Sequence, residues 1–161
     1  MTAEEVLRRL AADGRTLAVA ESLTGGLLAD AFVRVPGASA VLNGAVVAYA
    51  TPLKHSLLGV DAALLDREGP VHAEVARQMA SGVRRACAVD GRPADAGVAT
   101  TGVAGPGPQD GRPAGTVWVG AAVGDRVVAR TAVLPGDRAA VRAAAVELAL
   151  EVLLETLRAP E

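Results

Sequence analysis

The chain has 161 residues, the length of one domain, and 51% of them are apolar, enough for a sizeable core. A formal net charge of −2 argues against a nucleic-acid-binding stripe or a membrane-surface helix, and a single cysteine, Cys87, excludes a disulfide framework and a Cys-rich metal site. No apolar run approaches the roughly 20 residues of a membrane span, and residues 1–10, with Glu4, Glu5, Arg8 and Arg9, read as the start of an amphipathic helix and not as a signal peptide. The expectation is a soluble cytoplasmic protein with no nucleic-acid or membrane partner.

In chain order, residues 2–13 predict a helix with Val6, Leu7 and Leu10 on one face, closed by Gly14. Residues 16–20 are a short apolar strand that runs into the polar turn Glu21-Ser22-Leu23-Thr24-Gly25-Gly26. Leu27, Leu28, Ala31, Phe32 and Val35 then keep helical spacing up to Pro36. Residues 45–50 predict a second strand ending at Tyr49, followed by a helical segment over 51–58 that carries Lys54. A short helix over 61–68 stops at Gly69-Pro70, and residues 73–89 predict a longer one with Val75, Met79, Val83 and Ala86 as its inner stripe. Residues 95–100 form a third strand, and the Gly- and Pro-rich stretch 101–114 reads as an ordered loop. Residues 115–123 and 126–134 alternate around Gly124-Asp125 as an antiparallel hairpin. A last helix spans 137–157, with Asp137 as its N-cap. There is no repeat, linker or low-complexity segment, so residues 1–161 read as one domain. The element order fits a three-layer α/β/α sandwich whose mixed, mainly parallel sheet carries an antiparallel hairpin.

Three strand ends carry polar or glycine-rich turns: Ser22 to Gly26, Tyr49 to Lys54, and Thr100 to Gly107. If those strands are parallel, the turns share one edge of the sheet, where open α/β sheets bind ligands. Ser22 stands between a strand and a helix, where free N–H groups can hold an oxyanion; the alternative is that Ser22 or Thr24 is simply an N-cap. A nucleophilic serine needs a base. His55 and His72 are candidates, but nothing places either beside Ser22. Lys54 is the better one. It is the only lysine against fifteen arginines, and a lysine, unlike an arginine, can lose its proton when desolvated. Composition alone leaves open that Lys54 is an exposed survivor, and Tyr49 an amphipathic residue at a strand end. The loop Gly102-Val103-Ala104-Gly105-Pro106-Gly107 matches no dinucleotide or Walker signature but can offer N–H groups to an anion. Arg138 and Arg142, four apart, are either a phosphate clamp or a solvated charged face. No cluster has metal-ligand spacing.

The segments AESLTGGLLADAFVRVPGAS, VVAYATPLKHSLLGV, GPVHAEVARQMASGVR, TTGVAGPGP, GTVWVGAAV and PGDRAAVRAAAVELAL, in that order, resemble the CinA C-terminal domain family, whose active members are nicotinamide-nucleotide amidases of the PncC type. The resemblance spans nearly the whole chain. It implies an α/β/α sandwich and hydrolysis of the carboxamide of nicotinamide mononucleotide to nicotinic acid mononucleotide and ammonia, without a metal or organic cofactor. It implies a catalytic set of Ser22, Tyr49 and Lys54. Substrate contacts are implied for Thr24, Gly25 and Gly26, for Thr101, Gly102 and Gly105, and for Arg138 and Arg142 at the phosphate. It also implies a possible homodimer. The chain departs from many relatives at Val71-His72-Ala73-Glu74, at Ala50-Thr51-Pro52 and at Leu134, which puts the pocket rim in question. Nothing in it matches the separate N-terminal domain of full-length CinA proteins, which points to the stand-alone amidase form. The implied mechanism has Lys54 take the Ser22 proton, directly or through Tyr49, while N–H groups around Thr24 to Gly26 hold the oxyanion. The rival expectations are a nucleotide-binding module without catalysis and a competence- or DNA-damage-related adaptor.

Overall fold

A computed structural model describes residues 2–159. Strand β1 (Leu17–Glu21) is buried along its whole length, so it takes the inside of the sheet. It pairs in parallel with β2 (Leu42–Val47) on one side and β3 (Ala96–Gly102) on the other. The hairpin of β4 (Thr116–Val123) and β5 (Arg126–Val133) adds antiparallel to β3, giving the order β2-β1-β3-β4-β5. Only β4 runs against the others, although the strand pairings divide evenly between parallel and antiparallel.

The helices are α1 (Ala3–Ala12), α2 (Leu27–Val33), α3 (Thr51–Ser56), α4 (Ala62–Glu68), α5 (Ala73–Ala86) and α6 (Arg138–Arg158). Alternation along the strands sorts them into two layers. Leu17, Val19, Val98, Val117 and Val119 face α1, α2 and α6, where Leu10, Phe32 and Leu153 complete the larger core. Ala18, Ala20, Ala99 and Ala122 face α5 and α4, meeting Val75, Met79, Val83 and Leu64. The result is the expected three-layer α/β/α sandwich.

Side-chain size differs between the two faces, and this sets how closely each helix layer approaches. A Cβ placed on Gly97 would lie 2.0 Å from the Ala80 carbonyl oxygen, and one on Gly120 would lie 2.1 Å from that of Ala76. Helix α5 therefore rests backbone against backbone on β3 and β4. This close fit explains why its buried stripe is Val75, Ala76, Met79, Ala80, Gly82 and Val83. Ala86, expected on the inner stripe, is exposed in the last turn, because the chain leaves the sheet before it.

Two further boundaries differ from expectation. The second strand runs over Leu42–Val47 and not 45–50. Asn43 and Gly44 do not look like strand residues, but Asn43 Nδ2 donates to the Cys87 carbonyl and Gly44 lies against the Cys87 side chain. At the other end, the Ala48 N–H makes the final bond, to the Glu21 carbonyl. Residues 48–50 then turn away to start α3. A single 3₁₀ turn, Ala38–Ala40, was not legible in the sequence.

The packing yields a prediction. Gly120→Ala forces α5 off the sheet and should lower unfolding stability by about 3 kcal/mol in urea titration, whereas Gly107→Ala, with open space around it, should change it by less than about 0.5 kcal/mol.

Candidate active site

Because β1, β2 and β3 are parallel, their carboxyl ends emerge on one edge, and the three turns meet around a cavity of about 290 Å³. That is close to the lower end of small-molecule sites, roughly 300–1,000 Å³. Its walls include Ser22 and Leu23 from the first turn, Tyr49, Thr51 and Lys54 from the second, and residues 101–109 from the third, with Pro70, Val71 and Arg138 at the rim.

The first turn is fixed by a residue that the sequence reading passed over. Glu21, fully buried at the end of β1, accepts the Leu28 N–H at 2.9 Å and the Ala29 N–H at 3.1 Å. Its carboxylate thus caps α2, where Gly26 at the N-cap position offers no side chain. Neither Ser22 nor Thr24 is the cap. The Thr24 hydroxyl, also fully buried, bonds the Thr100 hydroxyl at 2.7 Å and ties the turn to β3. The sequence did hold a signal for Glu21: a carboxylate closing an apolar strand must find hydrogen-bond partners if it is buried.

With the helix capped by its neighbour, Ser22 is left to meet Lys54. The Lys54 amine is 1% exposed and donates to Ser22 Oγ at 2.9 Å and to the Ala48 carbonyl at 2.8 Å, with the Tyr49 carbonyl at 3.5 Å. Lys54 is therefore not an exposed survivor. Pro52, in the first turn of α3, helps start the short helix that turns Lys54 inward. No carboxylate is among its partners, and burial pushes the ammonium down from 10.5 to about 8. At pH 7.5 about a quarter of the molecules then carry a neutral amine, against about one in a thousand for an unshifted lysine. The same heavy-atom arrangement serves both forms. The ammonium donates to all three oxygens; the neutral amine donates to the two carbonyls and accepts from the Ser22 hydroxyl.

Tyr49 reaches Lys54 only through its backbone carbonyl. Its ring is 61% exposed, and its hydroxyl accepts from Arg138 Nη2 at 3.1 Å. Arg138 Nη1 also donates to the Gly105 carbonyl at 2.8 Å, so one guanidinium joins two walls at the mouth. Thr101 Oγ1 donates to the Pro70 carbonyl at 2.7 Å. Gly102 lies so close to β4 that a Cβ there would be 2.6 Å from the Thr116 carbonyl oxygen, and Gly105 takes a left-handed φ of +92°.

The expectation that Arg138 and Arg142 face one anion together is not met. Arg138 lines the cavity. Arg142, one turn further along α6, points behind the first turn, its Nε donating to the Leu23 carbonyl at 2.8 Å and its Nη2 to the Thr24 carbonyl at 3.0 Å. Thr24, Gly25 and Gly26 do not line the cavity either. The Gly25 N–H is engaged by the Ser22 carbonyl, whereas the N–H groups of Leu23 and Thr24 have no partner among the described residues. Both histidines serve local backbone. His55 Nδ1 donates to the Val60 carbonyl at 2.7 Å, and His72 Nδ1 accepts the Glu74 N–H at 3.1 Å.

Fold and cavity together define a three-layer α/β/α domain with a cavity at the ends of its parallel strands. Residues 1–157 match the CinA C-terminal domain, and the chain belongs to that family. It is 49% identical over 152 residues to a CinA-like protein of Frankia casuarinae, covering 94% of this chain and 34% of the relative, so the chain spans about a third of that protein's length. A CinA superfamily protein from Klebsiella pneumoniae superposes with a TM-score of 0.89 at 34% identity, covering 96% of this chain and 94% of the other. The competence/damage inducible protein CihA from Agrobacterium tumefaciens gives 0.84 at 34%, covering 98% and 96%. Among the described residues, no helix is long and apolar enough to cross a membrane.

The buried amine has a thermodynamic signature. Lys54 has a lowered folded pKa, so between pH 8 and 10.5 the unfolded chain binds more protons and stability rises with pH; below 8 the desolvation cost is fully present. Lys54→Met removes this dependence. The stability of the parent relative to the variant should therefore increase by about 3 kcal/mol across that interval, measured by denaturant unfolding at a series of pH values.

Proposed function

We propose that the domain is a nicotinamide-nucleotide amidase that converts nicotinamide mononucleotide to nicotinic acid mononucleotide and ammonia. The observation that carries this reading is the buried, uncompensated Lys54 amine 2.9 Å from Ser22 Oγ. A lysine in this setting can act as a general base, and the family resemblance supplies the substrate.

Neutral Lys54 takes the Ser22 proton as Oγ attacks the carboxamide carbon. The direct contact leaves no need for the Tyr49 hydroxyl as a relay. The carbonyl oxygen becomes an oxyanion, held by the free N–H of Leu23, which lines the cavity beside the nucleophile. Lys54 returns its proton to the nitrogen as the C–N bond breaks, and ammonia leaves. Water, deprotonated by Lys54, then attacks the acyl-serine, and the proton returns to Oγ on collapse. A pyridinium bound beside Lys54 disfavours its ammonium further, and it draws electrons from the carboxamide. Among the lining residues Arg138 and Lys54 are the only charged groups, so Arg138 at the mouth suits the phosphate and Tyr49 offers a flat face beside it.

The test is ammonia release from nicotinamide mononucleotide. Ser22→Ala and Lys54→Arg should each lose about a thousand-fold or more while remaining folded, since arginine keeps the charge and cannot give up its proton. The parent kcat/KM should rise with pH to a plateau, with a midpoint near 8 in the free enzyme. Binding without turnover by the parent protein would sink the amidase reading and favour a nucleotide-binding module.

A further inference from the structure

Arg142 sits on α6, a helix of 21 residues whose neighbouring Val141, Ala145 and Val146 are buried in the larger core. The base of its side chain is thereby held, and its guanidinium bridges the two consecutive carbonyls that follow Ser22. Gly25 makes room for it: its φ is +54°, and a Cβ there would come within 3.2 Å of Arg142 Nη2.

Peptide planarity converts this bridge into control of direction. In a trans peptide the carbonyl of one residue and the N–H of the next point opposite ways. Holding the Thr24 carbonyl turns the Gly25 N–H to the other side, and it is found there, bonded to the Ser22 carbonyl at 3.1 Å. Holding the Leu23 carbonyl in the same way turns the Thr24 N–H away from the guanidinium and fixes the peptide plane that follows Leu23, whose own N–H has no partner among the described residues and whose residue lines the cavity beside Ser22. Glu21 fixes the far end of the same segment through Leu28 and Ala29. The turn is thus held between a cation on its carbonyls and a carboxylate on the first N–H groups of the helix that follows it.

We propose that Arg142 is a positioning residue for the nucleophile turn, fixing the two peptide planes that follow Ser22 and with them the placement of Ser22 and the Leu23 N–H, and that it makes no contact with the substrate phosphate. A lysine cannot replace it, because one ammonium does not present the planar fork that reaches both carbonyls. The choice of substrate for the test rests on the amidase reading above.

The test compares Arg142→Ala, Arg142→Lys and Arg138→Ala with the parent, on nicotinamide mononucleotide and on nicotinamide riboside. Both Arg142 variants should lose about 10- to 100-fold in kcat with little change in KM, and should keep the parent's preference for the mononucleotide over the riboside. Methylguanidinium added to Arg142→Ala should restore part of the rate. Arg138→Ala should instead raise KM and lose the preference. Full kcat in Arg142→Ala, or loss of the phosphate preference in it, overturns the proposal. A second readout is independent of the substrate. A fluorophosphonate probe phosphonylates an activated serine, the Oγ–P bond replacing P–F as fluoride leaves and Lys54 takes the hydroxyl proton, and Ser22 in the Arg142 variants should label at least about 10-fold more slowly than in the parent. If the parent labels but releases no ammonia, the amidase reading fails, and the labelling rates still decide the role of Arg142. Equal labelling of parent and variants overturns it. Variants that fail to fold, read by thermal melting, are replaced in the same assay by Arg142→Gln, whose single amide nitrogen cannot bridge both carbonyls as the fork does and which should label more slowly than the parent, equal labelling again overturning the proposal.

Discussion

A buried amine with no counter-charge governs this molecule. Lys54 enters the interior because α3 turns it inward, and once there it must be met by oxygen atoms that carry no net charge. A carboxylate partner would hold the ammonium and raise its pKa; two carbonyls and a hydroxyl accept its hydrogens without doing so. The parallel strands are what make this possible. Ser22 follows β1, Ala48 and Tyr49 follow β2, and only strands running the same way deliver those atoms to one amine. Proton exchange between Lys54 and Ser22 requires no displacement of heavy atoms, since either protonation state satisfies the same three contacts.

Much of this was readable before the fold was known. The strand–turn–helix pattern placed Ser22, and the strand ends grouped the three turns. The rarity of lysine drew attention to Lys54. Other features depended on contacts distant in sequence. Ser22 looked like a cap because capping chemistry is local, and the actual cap, Glu21, reaches back seven and eight residues into α2. Arg138 and Arg142 are four residues apart on one helix, so spacing alone pairs them, but Arg138 reaches Gly105 and Tyr49 whereas Arg142 reaches Leu23 and Thr24. For Tyr49, residue type suggested a proton relay, and only the position of α6 shows its hydroxyl held by Arg138. Strand β2 was displaced by three residues because Asn43 and Gly44 depend on Cys87, which is far along the chain.

The two faces of the sheet share the work unequally. On the α5 side, alanines and glycines let helix and strand backbones touch, which leaves little freedom for change. On the α6 side, larger side chains fill the core, and the same helix sends Arg138 to the cavity mouth and Arg142 to the turn that follows Ser22. Val71 and Thr51 line the same cavity as Ser22 and Lys54, whereas Glu21 is buried behind it.

The Arg138 bridge carries one more consequence. Its two partners, a carbonyl and a phenol, are neutral, and all three groups stand at the solvent edge. An entering anion trades two neutral hydrogen bonds for a charged one, so the exchange favours the ligand only as far as counterions leave the guanidinium's field intact. Over a Debye length of about 10 Å at 0.1 M salt, that field reaches beyond the mouth; in concentrated salt it does not. Salt therefore weakens any attraction of Arg138 for an anion at the mouth, whereas Lys54, buried among neutral oxygens, is screened far less.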